Sequence, residues 1–286
     1  MKVINEISAM QNIAEYYRRI GMKIGFVPTM GFLHEGHLSL LINAKEECDI
    51  VITSIFVNPT QFLPNEDFND YPRDFLRDFH LCKSSGCDYL FYPDAKDVFP
   101  ENYKTFANVN DISDKFEGKY RPGHFKGVAT VVLKLVNITK PHNIYFGQKD
   151  AQQVAVLRKM FEDLNFDVNM RVCDSIREES GLAMSSRNIY LNDEEKKQAP
   201  EIYSLLNEAK KMILENEHED IDKIKKSLKK TFETKSPKSS LQYIAITDNK
   251  YLEEIEDLNN FRGEMLVSLA VIFGKTRLID NILFTK

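Results

Sequence analysis

Apolar residues along the chain cluster in short runs, separated by polar stretches with helical or turn-like spacing. Residues 23–28 hold Ile24, Gly25, Phe26 and Val27, and this run predicts a short buried strand that residues 29–31 break. Residues 35–48 are amphipathic and predict a helix. Residues 49–57, rich in Val and Ile, predict a second strand, stopped by Asn58-Pro59. A helix is predicted over 72–85 and a third strand over 88–92. Strands alternating with helices argue for a parallel sheet covered on its faces. Residues 92–110 carry Pro93 and Pro100 and predict loops. An apolar helix over 127–140, a strand over 143–146, a helix over 150–165 and a strand over 168–173 continue the alternation to about residue 175.

The texture then changes. Charge-dense helices are predicted over 193–215 and 221–234, a Ser/Pro/Lys linker over 235–240, and strands over 241–247, 265–273 and 277–283. The fold class is therefore α/β: a doubly wound parallel sheet at 1–175 with a smaller C-terminal α+β domain at 176–286.

Composition narrows the function classes. The 286 residues carry a net charge of −5, with no basic run, so a nucleic-acid or membrane surface is disfavoured and a local pocket for a small anion is not. No apolar stretch reaches membrane-spanning length. The N-terminus lacks the apolar region of a secretory signal. Cys48, Cys82, Cys87 and Cys173 form no C-x-x-C pair, which favours free thiols in a reducing cytoplasm over a zinc site.

Three segments carry candidate chemistry. The first runs Pro28-Thr29-Met30-Gly31-Phe32-Leu33-His34-Glu35-Gly36-His37, between a strand and a helix. That is the edge where open α/β sheets bind ligands. His34 and His37 are three residues apart at the helix start, with Gly36 between them, so imidazoles and helix-terminal amides form a donor-rich anion site. Two surface histidines, or a metal pair lacking a third ligand, are the competing readings. The second is Met184-Ser185-Ser186-Arg187-Asn188, where hydroxyls and a guanidinium suit phosphate oxygens; a capped loop is the alternative. The third is Gly147-Gln148-Lys149-Asp150-Ala151-Gln152-Gln153, with Lys149 for a phosphate, Asp150 for ribose hydroxyls and Gln153 one helical turn on; a polar helix cap is the alternative. Asn58 and Gln61 offer neutral amides to an organic acid. Arg121, His124 and Gly127 lie in a glycine-flanked loop before an apolar helix.

Six blocks in order, Pro-Thr-Met-Gly-x-Leu-His-x-Gly-His at 28–37, Phe-Val-Asn-Pro-x-Gln-Phe at 56–62, Tyr-Pro-Arg at 71–73, Arg-Pro-Gly-His-Phe-x-Gly-Val at 121–128, Gly-x-Lys-Asp-x-Gln-Gln at 147–153 and Met-Ser-Ser-Arg-Asn at 184–188, closely resemble the pantothenate synthetase (pantoate–β-alanine ligase) family. The first also resembles the His-x-Gly-His signature of a nucleotidyltransferase superfamily, and the last its Lys-Met-Ser-Lys-Ser loop. The C-terminal hundred residues match mainly in length and texture. The resemblance implies a Rossmann-like first domain, a C-terminal lid, a cytoplasmic homodimer, and ATP with Mg²⁺. It also implies condensation of pantoate with β-alanine through a pantoyl adenylate.

Carried over residue by residue, Met30, Gly31, Phe32, Leu33, His34, Glu35, Gly36 and His37 contact ATP, with His37 as proton donor and His34 on the phosphates. Gly147, Gln148, Lys149 and Asp150 meet ribose and phosphates. Ile176 meets adenine through its backbone, and Met184, Ser185, Ser186 and Arg187 close over the triphosphate. His34, His37, Lys149 and Arg187 form the catalytic set. Gln61, Gln153, Asn58, His124 and Arg121 bind pantoate and β-alanine, and Asp78 stands near the metal. Phe32 departs from the family, where Ala is frequent, but removes no donor; Gln148 is a milder variation. Three alternatives differ in substrate: a related nucleotidyltransferase with a phosphorylated acceptor, a non-catalytic ATP-binding module, and an RNA-binding synthetase relative.

Overall fold

The computed structural model describes residues 1–215 and 220–286. It divides into two compact units: residues 1–114, 118–147 and 156–174 form the first, and 115–117, 148–155 and 175–286 form the second.

The first unit is built on β1 (Lys2–Ile4), α1 (Ile7–Arg19), β2 (Ile24–Thr29), α2 (Glu35–Glu47), β3 (Ile50–Ile55), α3 (Phe75–Ser84), β4 (Tyr89–Phe91), the single turn α4 (Ala95–Val98), α5 (Phe116–Tyr120), α6 (His124–Thr139), β5 (Asn143–Gly147), α7 (Ala151–Asp163) and β6 (Asn169–Cys173). Its six strands run in the order β1-β4-β3-β2-β5-β6, with every pairing parallel. The chain steps outward from β2 through β3 to β4, then returns to lay β5 on the other flank of β2. The topological switch therefore lies between β2 and β5, whose carboxyl ends lead into Met30 and Gln148.

The central strands read as continuous apolar runs because both sheet faces are covered. Every residue of β3 is buried. Val27, Val51 and Ile55 pack with Leu40, Leu41 and Ala44 of α2 on one face. β1 and α1 had no counterpart in the sequence pattern. β1 is a three-residue edge strand, too short for a period to register. α1 buries Met10 and Ala14 beneath a largely polar surface.

The second unit continues with α8 (Asp193–Gln198), α9 (Glu201–Leu214), α10 (Ile221–Lys235), β7 (Ser239–Asp248), β8 (Glu264–Phe273) and β9 (Thr276–Thr285). The strands form an antiparallel meander in the order β7-β8-β9. Leu205, Leu206, Ile213, Ile224, Leu228 and Phe232 of the helices pack on Ile246, Val267, Leu269 and Leu278 of the sheet. The helix expected over 193–215 is two helices. Pro200 precedes the second, where its missing N–H costs nothing, and the first ends before it. Residues 115–117 and 148–155 group with this unit: Glu117 pairs with Arg277 and accepts a hydrogen bond from the Tyr243 hydroxyl at 2.9 Å. The Glu117 amide donates to the side-chain oxygen of Gln152 at 2.9 Å. Among the described residues no helix is long and apolar enough to cross a membrane.

Candidate active site

The first unit carries the His-x-Gly-His segment as a braced turn. After β2 the chain turns through Gly31 (φ +83°) and Phe32 (φ +49°), both left-handed. The turn needs Gly31, because a Cβ there would sit 2.9 Å from Ile55 and 3.0 Å from the Asp78 carboxylate. Phe32 has a Cβ and is held in this conformation from outside. Its amide donates to one Asp78 oxygen at 2.7 Å and the Leu33 amide donates to the other at 2.8 Å. Leu33 is fully buried beneath, and the Arg77 guanidinium lies 5.2 Å from the Phe32 ring centre.

Asp78 is thus the brace of the turn. Expected near a metal, it accepts amide protons with both oxygens and is 1% exposed. Burial pushes its carboxyl above the ordinary range, against the lowering effect of the two amides. Among the described residues no cluster of three His, Cys, Asp or Glu is arranged to hold a metal.

α2 then starts on the two histidines. His34 is the N-cap, and its Nδ1 accepts from the Gly36 amide at 3.2 Å; Nδ1 of His37 accepts from the His34 amide at 3.3 Å. This is a capping box made with imidazoles. Because both Nδ1 atoms accept, the neutral rings carry their protons on Nε2. The ring centres are 4.1 Å apart. Gly36 has a reason within the turn itself: a Cβ there would lie 3.0 Å from the folded-back His34 ring. The Glu35 side chain is exposed.

A neutral amide network stands beside the turn. Asn58, 1% exposed, caps the 3-10 turn Pro59–Gln61. Its amide donates to Gln61 Oε1 at 3.0 Å and to the Gly127 carbonyl at 3.2 Å, while Gln61 Nε2 donates to the Met30 sulfur at 3.1 Å. α6 approaches so closely that a Cβ on Gly127 would sit 2.2 Å from the Thr60 carbonyl oxygen. His124 and Arg121 also reach this turn: His124 Nδ1 lies 2.7 Å from the Gln61 carbonyl and Nε2 lies 3.0 Å from Arg121 Nη1. A carbonyl on one side and a guanidinium on the other fix the Nδ1–H tautomer. Arg121, expected at the substrate, is paired with Glu66 at 2.5 and 2.7 Å. Burial pushes the Glu66 carboxyl up, but the hydrogen bonds and charge of Arg121 outweigh it and hold Glu66 below the ordinary range. Met30, Asn58, Gln61, Arg121 and His124 are thereby brought together.

In the second unit the remaining candidates occupy two segments. Gln148, Lys149 and Asp150 form one 3-10 turn, with Lys149 Nζ 3.6 Å from Asp150 Oδ1, and Gln153 lies partly buried in the first turns of α7. Gly147, the last residue of β5 and part of the first unit, has open space where a Cβ would be. The other segment is a small hairpin. The Met184 amide donates to the Ile176 carbonyl at 2.9 Å, Arg177 bridges Ala183, and Gly181 (φ +90°) makes the turn. Ser185 follows as the N-cap of the 3-10 turn Ser186–Tyr190, its hydroxyl accepting from the Arg187 amide at 3.3 Å. The capped-loop reading therefore describes the local structure of this segment.

Sequence reasoning missed what fastens these segments. Arg177 pairs through two nitrogens with Asp280, at 2.6 and 3.0 Å, and stacks 3.7 Å from the Tyr203 ring centre. Asn281 bonds to Gln148 and Lys149. A signal was present: Asp280-Asn281 interrupts the otherwise apolar run of β9.

A parallel sheet with a topological switch beside a histidine-capped helix start is the place where an open α/β fold takes a ligand. Comparison with known proteins narrows this. The family model for pantoate–β-alanine ligase matches residues 2–283. The chain is 50% identical to the pantothenate synthetase of Caldicellulosiruptor bescii over 99% of this chain and 98% of that one. It is 48% identical to that of Acetivibrio thermocellus over 99% of both. The crystal structure of pantothenate synthetase from Thermus thermophilus superposes with a TM-score of 0.89 at 36% identity over 99% of both chains. A pantoate–β-alanine ligase from Francisella tularensis, complexed with β,γ-ATP and β-alanine, gives 0.79 at 37% identity over 99% of this chain and 97% of that one. The chain belongs to the pantoate–β-alanine ligase family.

Proposed function

We propose that the protein condenses (R)-pantoate with β-alanine at the expense of ATP, giving pantothenate, AMP and pyrophosphate. A pantoate carboxylate oxygen attacks the α-phosphorus and pyrophosphate leaves. The neutral amine of β-alanine then attacks the acyl carbon of the pantoyl adenylate, AMP leaves, and the amine gives up a proton.

One observation carries this reading: the imidazole capping box on α2, held by Asp78, in a chain that matches the ligase family end to end. The Nε2–H groups of His34 and His37 are assigned to phosphate oxygens of the nucleotide. His37 is assigned the proton-donor role and His34 a phosphate contact, within an ATP-contacting run from Met30 to His37. Lys149 and Arg187 supply fixed positive charge against the repulsion between two anionic substrates. Gly147, Gln148 and Asp150 are assigned to ribose and phosphates, the Ile176 backbone to adenine, and Met184, Ser185 and Ser186 to the triphosphate. Gln61 and Gln153 are assigned to pantoate. Asn58, His124 and Arg121, whose hydrogen bonds meet the Gln61 turn, are assigned to pantoate and β-alanine with it. Mg²⁺ belongs to the proposal as part of the MgATP substrate. The homodimer, the cytoplasmic location and the lid role of the second unit belong to it as well.

Holding the reactants in line accounts for much of the acceleration; effective-molarity effects supply roughly 7–11 kcal/mol in favourable cases. The test is a pyrophosphate-release assay with each substrate omitted in turn. Release requires pantoate, and AMP with pantothenate requires β-alanine. His37→Ala and Lys149→Ala are expected to abolish pantoate-dependent release while leaving the circular dichroism spectrum unchanged. Normal turnover in either variant refutes its assignment.

A further inference from the structure

Successive residues of a strand point to opposite faces, so the adjacent polar residues Asp280 and Asn281 on β9 reach two different parts of the second unit. Both are buried, at 3% and 4% exposure. Asn281 spends its side-chain amide on one segment. Nδ2 donates to the carbonyls of Gln148 and Lys149, each at 2.9 Å, and Oδ1 accepts from Gln148 Nε2 at 3.1 Å. These bonds hold main-chain atoms on both sides of the peptide that presents Lys149.

Asp280 serves the other segment. It pairs with Arg177, whose guanidinium also donates to the Gly181 carbonyl at 3.1 Å, inside the hairpin that leads to Met184–Arg187, and to the Asn281 carbonyl at 3.3 Å. Asp280 Oδ1 accepts from the Asn281 amide at 2.8 Å, so the two halves are joined. A buried polar pair in an apolar strand is expensive unless fully bonded, and here the bonds go to the two segments that carry Lys149 and Arg187.

We infer that Asp280 and Asn281 are positioning residues for nucleotide binding, with Asn281 setting the place of Lys149 and Asp280, through Arg177, that of the Met184–Arg187 segment. The inference rests on the assignment of Lys149 and Arg187 to ATP. Neither β9 residue touches substrate; each acts through the segment it bonds.

The experiment is a double-mutant cycle on the full-length protein. Dissociation constants for a non-hydrolysable ATP analogue with Mg²⁺ are measured by titration calorimetry for wild type, Asn281→Ala, Lys149→Ala and the double variant. Asn281→Ala is expected to weaken binding about tenfold in the wild-type background, from the loss of its hydrogen bonds to the Lys149 peptide. It is expected to weaken binding by less than about twofold once Lys149 is already Ala, because nothing remains for Asn281 to place. An equal factor in both backgrounds, or no effect in wild type, overturns the inference: Asn281 is then only structural. Unchanged binding in Lys149→Ala overturns the underlying assignment of Lys149 instead, and is told apart by that single variant. If Asn281→Ala does not fold, Asn281→Asp, which keeps the size but replaces the donor, goes through the same cycle. Asp280→Asn with Arg187→Ala tests the hairpin half by the same criterion.

Discussion

Replacing Asp78 tests whether the nucleotide turn is held from outside. Asp78→Ala removes the acceptor of two amide bonds, at 2.7 and 2.8 Å. Each stranded buried amide costs about 1–3 kcal/mol, and Phe32 loses the contact that keeps it left-handed, a conformation that itself costs about 1–2 kcal/mol. Against this, the protein no longer buries a carboxylate, which is itself unfavourable. The balance is a loss of roughly 2–4 kcal/mol in folding free energy, limited by relaxation of the turn. Asp78→Asn keeps the shape and one acceptor, so about half that loss is expected.

Urea unfolding measures the first quantity, and ATP dependence of pyrophosphate release measures the second. KM for ATP should rise at least about tenfold in Asp78→Ala, because the helix start is no longer placed. The pH dependence has a definite sign. Asp78 titrates above its ordinary value of 3.8 because burial outweighs the amide bonds. The folded chain therefore binds this proton more tightly than the unfolded one, and wild type gains stability relative to Asp78→Asn as pH falls from the raised value towards 3.8. An unchanged urea midpoint together with an unchanged KM for ATP in Asp78→Ala would refute the bracing argument.

Two further outcomes follow from the packing beside the turn. Gly127→Ala, favourable in an ordinary helix, should here cost roughly 2–3 kcal/mol and raise KM for pantoate, because the new Cβ meets the Thr60 carbonyl at 2.2 Å; thermal unfolding and steady-state kinetics report both. Glu66→Gln strands the Arg121 charge and should cost about 1–3 kcal/mol at neutral pH, after discount for partial solvent screening. Since the Glu66 carboxyl is held below its ordinary value of 4.5, that advantage of wild type is full above 4.5 and should disappear as pH falls through the lowered value, which acid titration of both proteins checks.

The sheet was legible because its central strands are short, apolar and separated by clear turn residues. Edge strand β1 and helix α1 were not, since one is too short for periodicity and the other shows a mostly polar surface. At the site, the histidine pair announced itself through local spacing on a helix start. Its brace did not: Asp78 lies over forty positions from the amides it holds, and a carboxylate in the first turn of a helix reads as ordinary dipole compensation. Arg121 reads as a substrate residue because a guanidinium so often binds carboxylates; its pairing with Glu66, 55 positions away, leaves no local signal. Asp280 and Asn281 were visible as an interruption in an apolar strand, but nothing local says what they bond.

The interleaving of the second unit has a practical meaning for anyone dividing this polypeptide. A fragment begun at residue 175 would carry Arg277 without Glu117, and Asn281 without the carbonyls it serves, because both partners belong to stretches threaded in from earlier in the chain. Such a piece would expose a cation and an amide that evolved under cover, so it is no transplantable cassette. Ribosomal synthesis faces the same arithmetic: Lys149 emerges well before the strand that secures it, and can be seated only once Asn281 has followed it 132 positions later.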